Sequence, residues 1–191
     1  MKEASVREKI ITSFKSLVVE KKFSNITIKD ITDGAGIFRA TFYNYFQDKY
    51  AVFAAILEDE LFYFVRELIR NNMSENALEL IARYFYQNKD FCKKAMEVDG
   101  VNSFKAELRQ QLRRSMDITI SKNRSFLNED WTELATMDDL LDFLVEIFIL
   151  TLTFILKSDD DNENVSARVD LLVNLVNNGL SSFIIRPDDA E

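Results

Sequence analysis

Helix breakers are nearly missing from this chain: one proline and four glycines in 191 residues. Such a sequence cannot supply the frequent tight turns of a β-sandwich or barrel. It predicts an all-α fold with short connections. The length suits one or two domains with a real core, and 47% hydrophobic residues, 16 of them Phe, provide the material for it.

Hydrophobic periodicity divides the chain. Val6, Ile10, Phe14, Leu17 and Val18 form one face of a helix over about 4–22, with Lys9, Lys15, Lys21 and Lys22 off that stripe. Phe23-Ser24-Asn25 breaks the pattern. A short helix follows at 28–34, with Thr27 as N-cap and Asp30 in the place of a capping-box acid. Gly34-Ala35-Gly36 supplies a tight turn in which Gly36 takes a positive φ. A third helix spans 38–45, with Phe42 and Phe46 inward, and Asp48 caps a long helix over 48–70. Further helices are expected near 74–88, 90–98, 102–122, 137–157 and 165–185, with a polar stretch at 123–136 anchored by Trp131 and Leu134.

Several function classes fall away on composition. With no histidine, imidazole-based triads and histidine-ligated metal centres are excluded. The single Cys92 excludes an internal disulfide and a multi-cysteine zinc site, and its neighbour Phe91 points to an inert, partly buried thiol, although Lys93 and Lys94 lie close in sequence. Asp159-Asp160-Asp161 with Glu163 lacks the glycine and terminal glutamate of a calcium loop and reads as solvated loop. The N-terminus has no signal-peptide core, and the apolar run Ile147–Leu156 is too short to span a bilayer. A cytoplasmic protein with no catalytic residues, no metal and no cofactor is expected.

The net charge of −8 is unevenly spread. Residues 1–50 carry nine Lys and Arg against six acids, so the acidic excess lies entirely beyond them. A basic head on an acidic body binds a polyanion at one end only.

The short helix at 28–34, the turn and the helix at 38–45 have the proportions of a helix-turn-helix. Phe42 and Phe46 can anchor the second helix, leaving Ala40, Thr41, Tyr43 and Asn44 for its outer face. Arg39 can reach a guanine edge or a phosphate, Asn44 an adenine, and Lys49, opening the next helix, a phosphate.

Residues 27–53, TIKDITDGAGIFRATFYNYFQDKYAVF, closely resemble the signature of the tetracycline-repressor (TetR/AcrR) family of transcriptional regulators. The matching positions are Thr27, Ile31, Ala35-Gly36, Thr41, Tyr43-Asn44-Tyr45-Phe46 and Lys49. The resemblance implies phosphate contacts for Thr27, Tyr43, Tyr45 and Lys49, base contacts for Arg39, Ala40, Thr41 and Asn44, and core roles for Ile31, Ala35, Phe42 and Phe46. Three positions depart from the family pattern: Phe38 replaces a capping Ser or Thr, Tyr45 a frequent His, and Gly34 a frequent Ala. Phe38 loses a cap of about 1 kcal/mol, and either packs on the head or meets a thymine methyl. The stretch KDFCKKAMEVDGVNSFKAEL, from Lys89, faintly resembles a branch of the family associated with dihydroxyacetone kinase regulation.

In the body, the helix at 137–157 is apolar almost all round and needs cover on every side. The helix at 165–185 carries a stripe of Val165, Val169, Leu172, Val176, Gly179, Leu180 and Phe183. Pairing both helices with their copies would form a four-helix dimer interface, the arrangement the resemblance implies as well. Phe53, Phe62, Phe64, Tyr84, Phe85, Tyr86, Phe91, Met96, Phe104 and Met116 each read as ordinary core, yet together they make an apolar effector cavity reasonable.

The expectation is therefore a helix-turn-helix DNA-binding domain at 1–47 and a helical ligand-binding and dimerisation domain at 48–191. Together they make a repressor that binds a palindromic operator in double-stranded DNA as a homodimer and responds to a small-molecule effector. Acid pairs such as Asp138/Asp142 and Glu58/Glu60 do not make a helical enzyme, being common on solvated faces. A helical protein-interaction adaptor without DNA binding is the main rival.

Overall fold

The computed structural model describes residues 4–122 and 136–157, with 167 and 174 as isolated positions. Every regular element among them is helical. These are α1 (Val6–Glu20), a 3₁₀ turn (Phe23–Asn25), α2 (Ile28–Ala35), α3 (Arg39–Tyr43) and α4 (Tyr50–Leu57). A π-helical turn (Glu58–Phe62) leads into α5 (Tyr63–Arg70), followed by α6 (Ser74–Gln87), α7 (Lys89–Met96), α8 (Phe104–Lys122) and α9 (Met137–Lys157).

Local chemistry sets the starts and stops. Ser5 and Glu8 form a capping box on α1, and Thr27 and Asp30 form one on α2, the shorter Asp serving where Glu is usual. Gly36 closes α2 in the left-handed conformation, φ 66°, which lets the Ile37 N–H donate back to the Thr32 carbonyl at 3.0 Å. Asp48 caps α4 by accepting from the Ala51 N–H at 2.8 Å.

The expected helix over 48–70 is continuous in direction but interrupted by the π-helical turn, a register change of the kind that often marks a functional position. Its three acids bind four side chains on three helices. Glu58 meets Arg66, Asp59 accepts from Arg7 of α1 at 2.6 Å, and Glu60 accepts from Lys15 of α1 at 2.7 Å and from the Tyr84 hydroxyl of α6 at 2.8 Å.

One hydrophobic core runs from Ile10 in α1 to Leu156 in α9. Its centre is a cluster of rings in which Phe53, Phe91 and Phe104 pack with centroid separations of 5.5–6.4 Å, joined by Phe85. Of the aromatic residues expected to surround an effector cavity, Phe53, Phe62, Phe85, Phe91 and Phe104 are buried core, whereas Phe64 is exposed. Among the described residues an open cleft of about 680 Å³ lies between α1 and the α6–α7 junction, lined by Lys15, Val19, Tyr86, Asn88, Lys89 and Phe91 among others.

α9 has the bounds the sequence predicts, 137–157. Leu141, Val145, Phe148, Ile149, Leu152, Ile155 and Leu156 face inward against α6, α7 and α8. Arg109 of α8 pairs with Glu146 at 2.6 Å, and Arg113 pairs with Asp138 and Asp142. The acid pair Asp138/Asp142 is therefore a structural ion-pair network. On the outer side Phe143, Leu150 and Phe154 remain 63%, 69% and 57% exposed. No helix among the described residues is long and apolar enough to cross a membrane. The expected helix at 165–185, the Trp131 and Leu134 anchors and the acidic loop at 158–164 lie outside the described residues.

Candidate nucleic-acid interface

The α2–α3 corner is built on α1. Ser13 donates to the Ile31 carbonyl at 2.9 Å from within the α1–α2 contact. A Cβ at Gly34 would stand 2.3 Å from the Ser13 hydroxyl oxygen, so the departure from Ala here has a local cause: the Ser13 hydroxyl occupies the space a methyl group would take. Ile31, Ala35, Phe42 and Phe46 are all buried, as expected for the corner's core. The Phe42 and Phe46 rings lie 5.7 Å apart, and the Arg7 guanidinium sits 5.2 Å from the Phe46 ring centroid.

With that face anchored, the other face of α3 is open. Arg39, Ala40, Tyr43, Asn44 and Tyr45 are exposed, and Thr41 is half-buried. Arg39 donates from Nη2 to the Tyr43 hydroxyl at 3.1 Å while its guanidinium packs over the same ring, which makes the pair one preorganised unit. Regular α-helix covers only Arg39–Tyr43, shorter than the expected 38–45. The last turn tightens, with Asn44 and Tyr45 bonding three residues back, and still reaches the Phe46 N–H, which donates to Phe42 O at 3.0 Å.

Two expected phosphate contacts have other occupations here. The Thr27 hydroxyl accepts from the Asp30 N–H at 3.1 Å and donates to the Asp30 carboxylate at 2.6 Å. These bonds, with the Thr27 N–H and Lys21 adding to them, hold the Asp30 pKa well below the usual carboxylate range. The Lys49 ammonium turns inward, donating to Phe23 O at 2.7 Å and Ile26 O at 2.8 Å, 4.2 Å from the Phe23 ring centroid. Burial lowers its pKa. Lys49 ties the 3₁₀ turn to the start of α4 and so fixes the corner's approach to the body.

Of the two places the sequence left open for Phe38, packing on the head or an outward position, the structure shows the second. This residue occupies the N-cap position of α3 without any side-chain cap bond and is 85% exposed, so it does not pack on the head.

Elsewhere the structure offers little chemistry. Cys92 is fully buried and its thiol is pushed up to about 12, mainly by burial and against an opposing effect of Lys15. Glu60, of the acid pair Glu58/Glu60, is tied to Lys15 and Tyr84. No cluster of three or more metal-ligating side chains occurs among the described residues.

Comparison with known proteins agrees with this geometry. Residues 10–56 match the bacterial regulatory proteins of the tetR family. The chain is 35% identical over 104 residues, 52% of its own length, to the HTH-type dhaKLM operon transcriptional activator DhaS of Lactococcus lactis subsp. lactis. That match spans about half the length of the relative, 54%. Among solved structures it is similar to a dihydroxyacetone kinase operon activator DhaS, with TM-score 0.59 and 25% identity over 90% of this chain and 96% of the other. It also shares its fold with Thermus thermophilus FadR, a TetR-family repressor solved with lauroyl-CoA, at TM-score 0.59 and 19% identity over 97% of this chain and 98% of the other.

Proposed function

We propose that this chain, whose residues 10–56 match the bacterial regulatory proteins of the tetR family, is a cytoplasmic, homodimeric, DNA-binding transcriptional regulator of that family and not an enzyme. The observation that carries this reading is the split of α3 into a buried face, Phe42 and Phe46, and an open face of Arg39, Ala40, Tyr43 and Asn44. A short helix held this way can lay its open face against base edges in the major groove. Arg39 and Asn44 are the base readers, Ala40 and Thr41 flank them, and Tyr43, Tyr45, Thr27 and the start of α4 at Lys49 lie along the phosphates. Lys49 acts at that position chiefly by holding the 3₁₀ turn, since its ammonium already has two carbonyl partners.

Residues 1–47 form the DNA-binding unit and 48–191 the dimerisation and effector-binding unit. Support for the dimer comes from α9, where Phe143, Leu150 and Phe154 recur on one exposed side of a helix whose other side is buried in its own protomer. The partner copy covers that side. Two heads then read two half-sites of a palindrome one helical turn apart.

The sequence led to the expectation of a repressor. The two DhaS relatives are named activators, one of a dhaKLM operon and one of a dihydroxyacetone kinase operon, which favours activation of such an operon here. A small-molecule effector works by binding two arrangements of head and body with different affinity. The junction that would feel such a change is the π-helical turn, whose Asp59 and Glu60 hold α1 through Arg7 and Lys15.

The test is retention of the purified chain on double-stranded DNA across a salt series, with its mass measured in parallel. Binding that falls linearly in log affinity with log salt, from a dimer, is expected. A strict monomer with no affinity for duplex at low salt would return the helical adaptor as the better reading.

A further inference from the structure

We propose that Phe38 is a base-reading residue whose ring covers the C5 methyl group of a thymine in the major groove. The proposal rests on the DNA-binding reading above and deepens it by naming a specificity contact outside the polar readers Arg39 and Asn44.

The ring is 85% exposed at the position that precedes the first residue of α3. Two features make Phe unfavourable there in the isolated protein. Its side chain makes no cap bond to the first turn, and a large apolar surface stands in water. The backbone is extended, φ −80° and ψ 150°, and the Phe38 carbonyl accepts from the Thr41 and Phe42 N–H groups at 2.9 and 3.3 Å. Position 38 is thus fixed to the start of the helix and is no part of a floppy loop.

Charge decides among possible occupants. The next residue is Arg39, whose guanidinium is exposed and preorganised on Tyr43, and the first fifty residues carry an excess of cations. A lone ring beside a cation on a basic head suits a polyanion better than an apolar protein face, and it contrasts with the continuous apolar side of α9. On the major-groove edge of duplex DNA, the thymine C5 methyl is the one apolar group the bases present. A phenyl ring, which cannot hydrogen-bond, tells thymine from the other bases through that methyl alone.

The experiment enriches a random duplex pool on the full-length protein and remakes the winning duplex with deoxyuridine replacing each thymine in turn. Uracil keeps the pairing and removes only the methyl. For the wild-type chain, one replacement per half-site is expected to weaken binding about fourfold, the worth of one buried methyl group. Phe38→Ser, which restores a capping residue and so keeps α3 folded, is expected to bind more weakly and to be indifferent to uracil at that position. Wild-type indifference to uracil everywhere, or an equal penalty in Phe38→Ser, overturns the proposal while leaving DNA binding in place. If no sequence is enriched by the wild type, the DNA reading falls and this proposal with it.

Discussion

α3 and α9 both leave large side chains in water, and they do so differently. On α3 and its flanks, Phe38, Tyr43 and Tyr45 are interleaved with Arg39, Ala40 and Asn44, so no apolar surface is continuous. On α9, Phe143, Leu150 and Phe154 follow helical spacing with half-buried Ile147 between them, and the charged residues Asp142 and Glu146 are held by Arg113 and Arg109 of the same protomer. The first surface mixes donors, a cation and rings, as a partner made of bases and phosphates demands. The second offers only area, as a second copy demands. Exposed aromatic residues become informative when their neighbours are read with them.

The largest effect should come from charging the α9 side. Leu150→Glu combined with Phe154→Glu places two carboxylates in the proposed dimer contact. Because both positions are exposed in the protomer, helicity by circular dichroism should hardly change. Sedimentation should show a monomer, and affinity for a two-half-site duplex should fall by at least about a hundredfold, since each central contact is worth roughly 2 kcal/mol or more. A variant that stays dimeric would remove α9 from the interface and with it the contrast between the two surfaces.

Next in size is Arg39→Ala. It removes both a base or phosphate contact and the packing that orders Tyr43, and should weaken duplex binding roughly ten- to a hundredfold. Asn44→Ala should shift sequence preference more than total affinity. Unchanged binding in both variants, measured by fluorescence anisotropy at fixed salt, would mean that the open face of α3 is not the reading face.

How much of this contrast the sequence held depends on how local its causes are. The bounds of α9, the capping box at Thr27 and Asp30, the left-handed Gly36 and the inward Phe42 and Phe46 each follow from residues within one or two helical turns, and each is found where the pattern puts it. The direction of Lys49 does not follow. Its long side chain reaches the Phe23 and Ile26 carbonyls only because tertiary folding brings the 3₁₀ turn beside α4. The π-helical turn at Glu58–Phe62 has no breaker to announce it, and it coincides with acids bound to α1 and α6. The packing of Phe53 and Phe91 on Phe104 does not follow either, since counting aromatic residues cannot show that they will pack on one another.

Gly34 offers a smaller and sharper test of the support behind α3. Alanine gains about 1 kcal/mol of helix propensity over glycine, but here its methyl would stand 2.3 Å from the Ser13 oxygen. Relieving that clash breaks the Ser13 bond to Ile31 and strains a tight contact, each worth roughly 1 kcal/mol or more. Gly34→Ala should therefore lower stability by about 1 kcal/mol in urea unfolding. Adding Ser13→Ala should recover most of it, because the remaining Cβ lies at 3.4 Å. A Gly34→Ala protein more stable than the wild type would show that α1 and α2 are farther apart than described.

The smallest effect runs the other way. Phe38→Ser should stabilise the protein, because serine can accept from the first-turn N–H groups that Phe38 leaves to water. The expected gain is about 1 kcal/mol, a rise in melting temperature of about 2–4 °C for a chain of this size. A substitution that improves the fold while weakening recognition of one thymine would show that this position trades stability for a contact made only on DNA. A fall in melting temperature would instead place the ring in a packing role within the protein, and would remove the distinction between α3 and α9 at its most exposed residue.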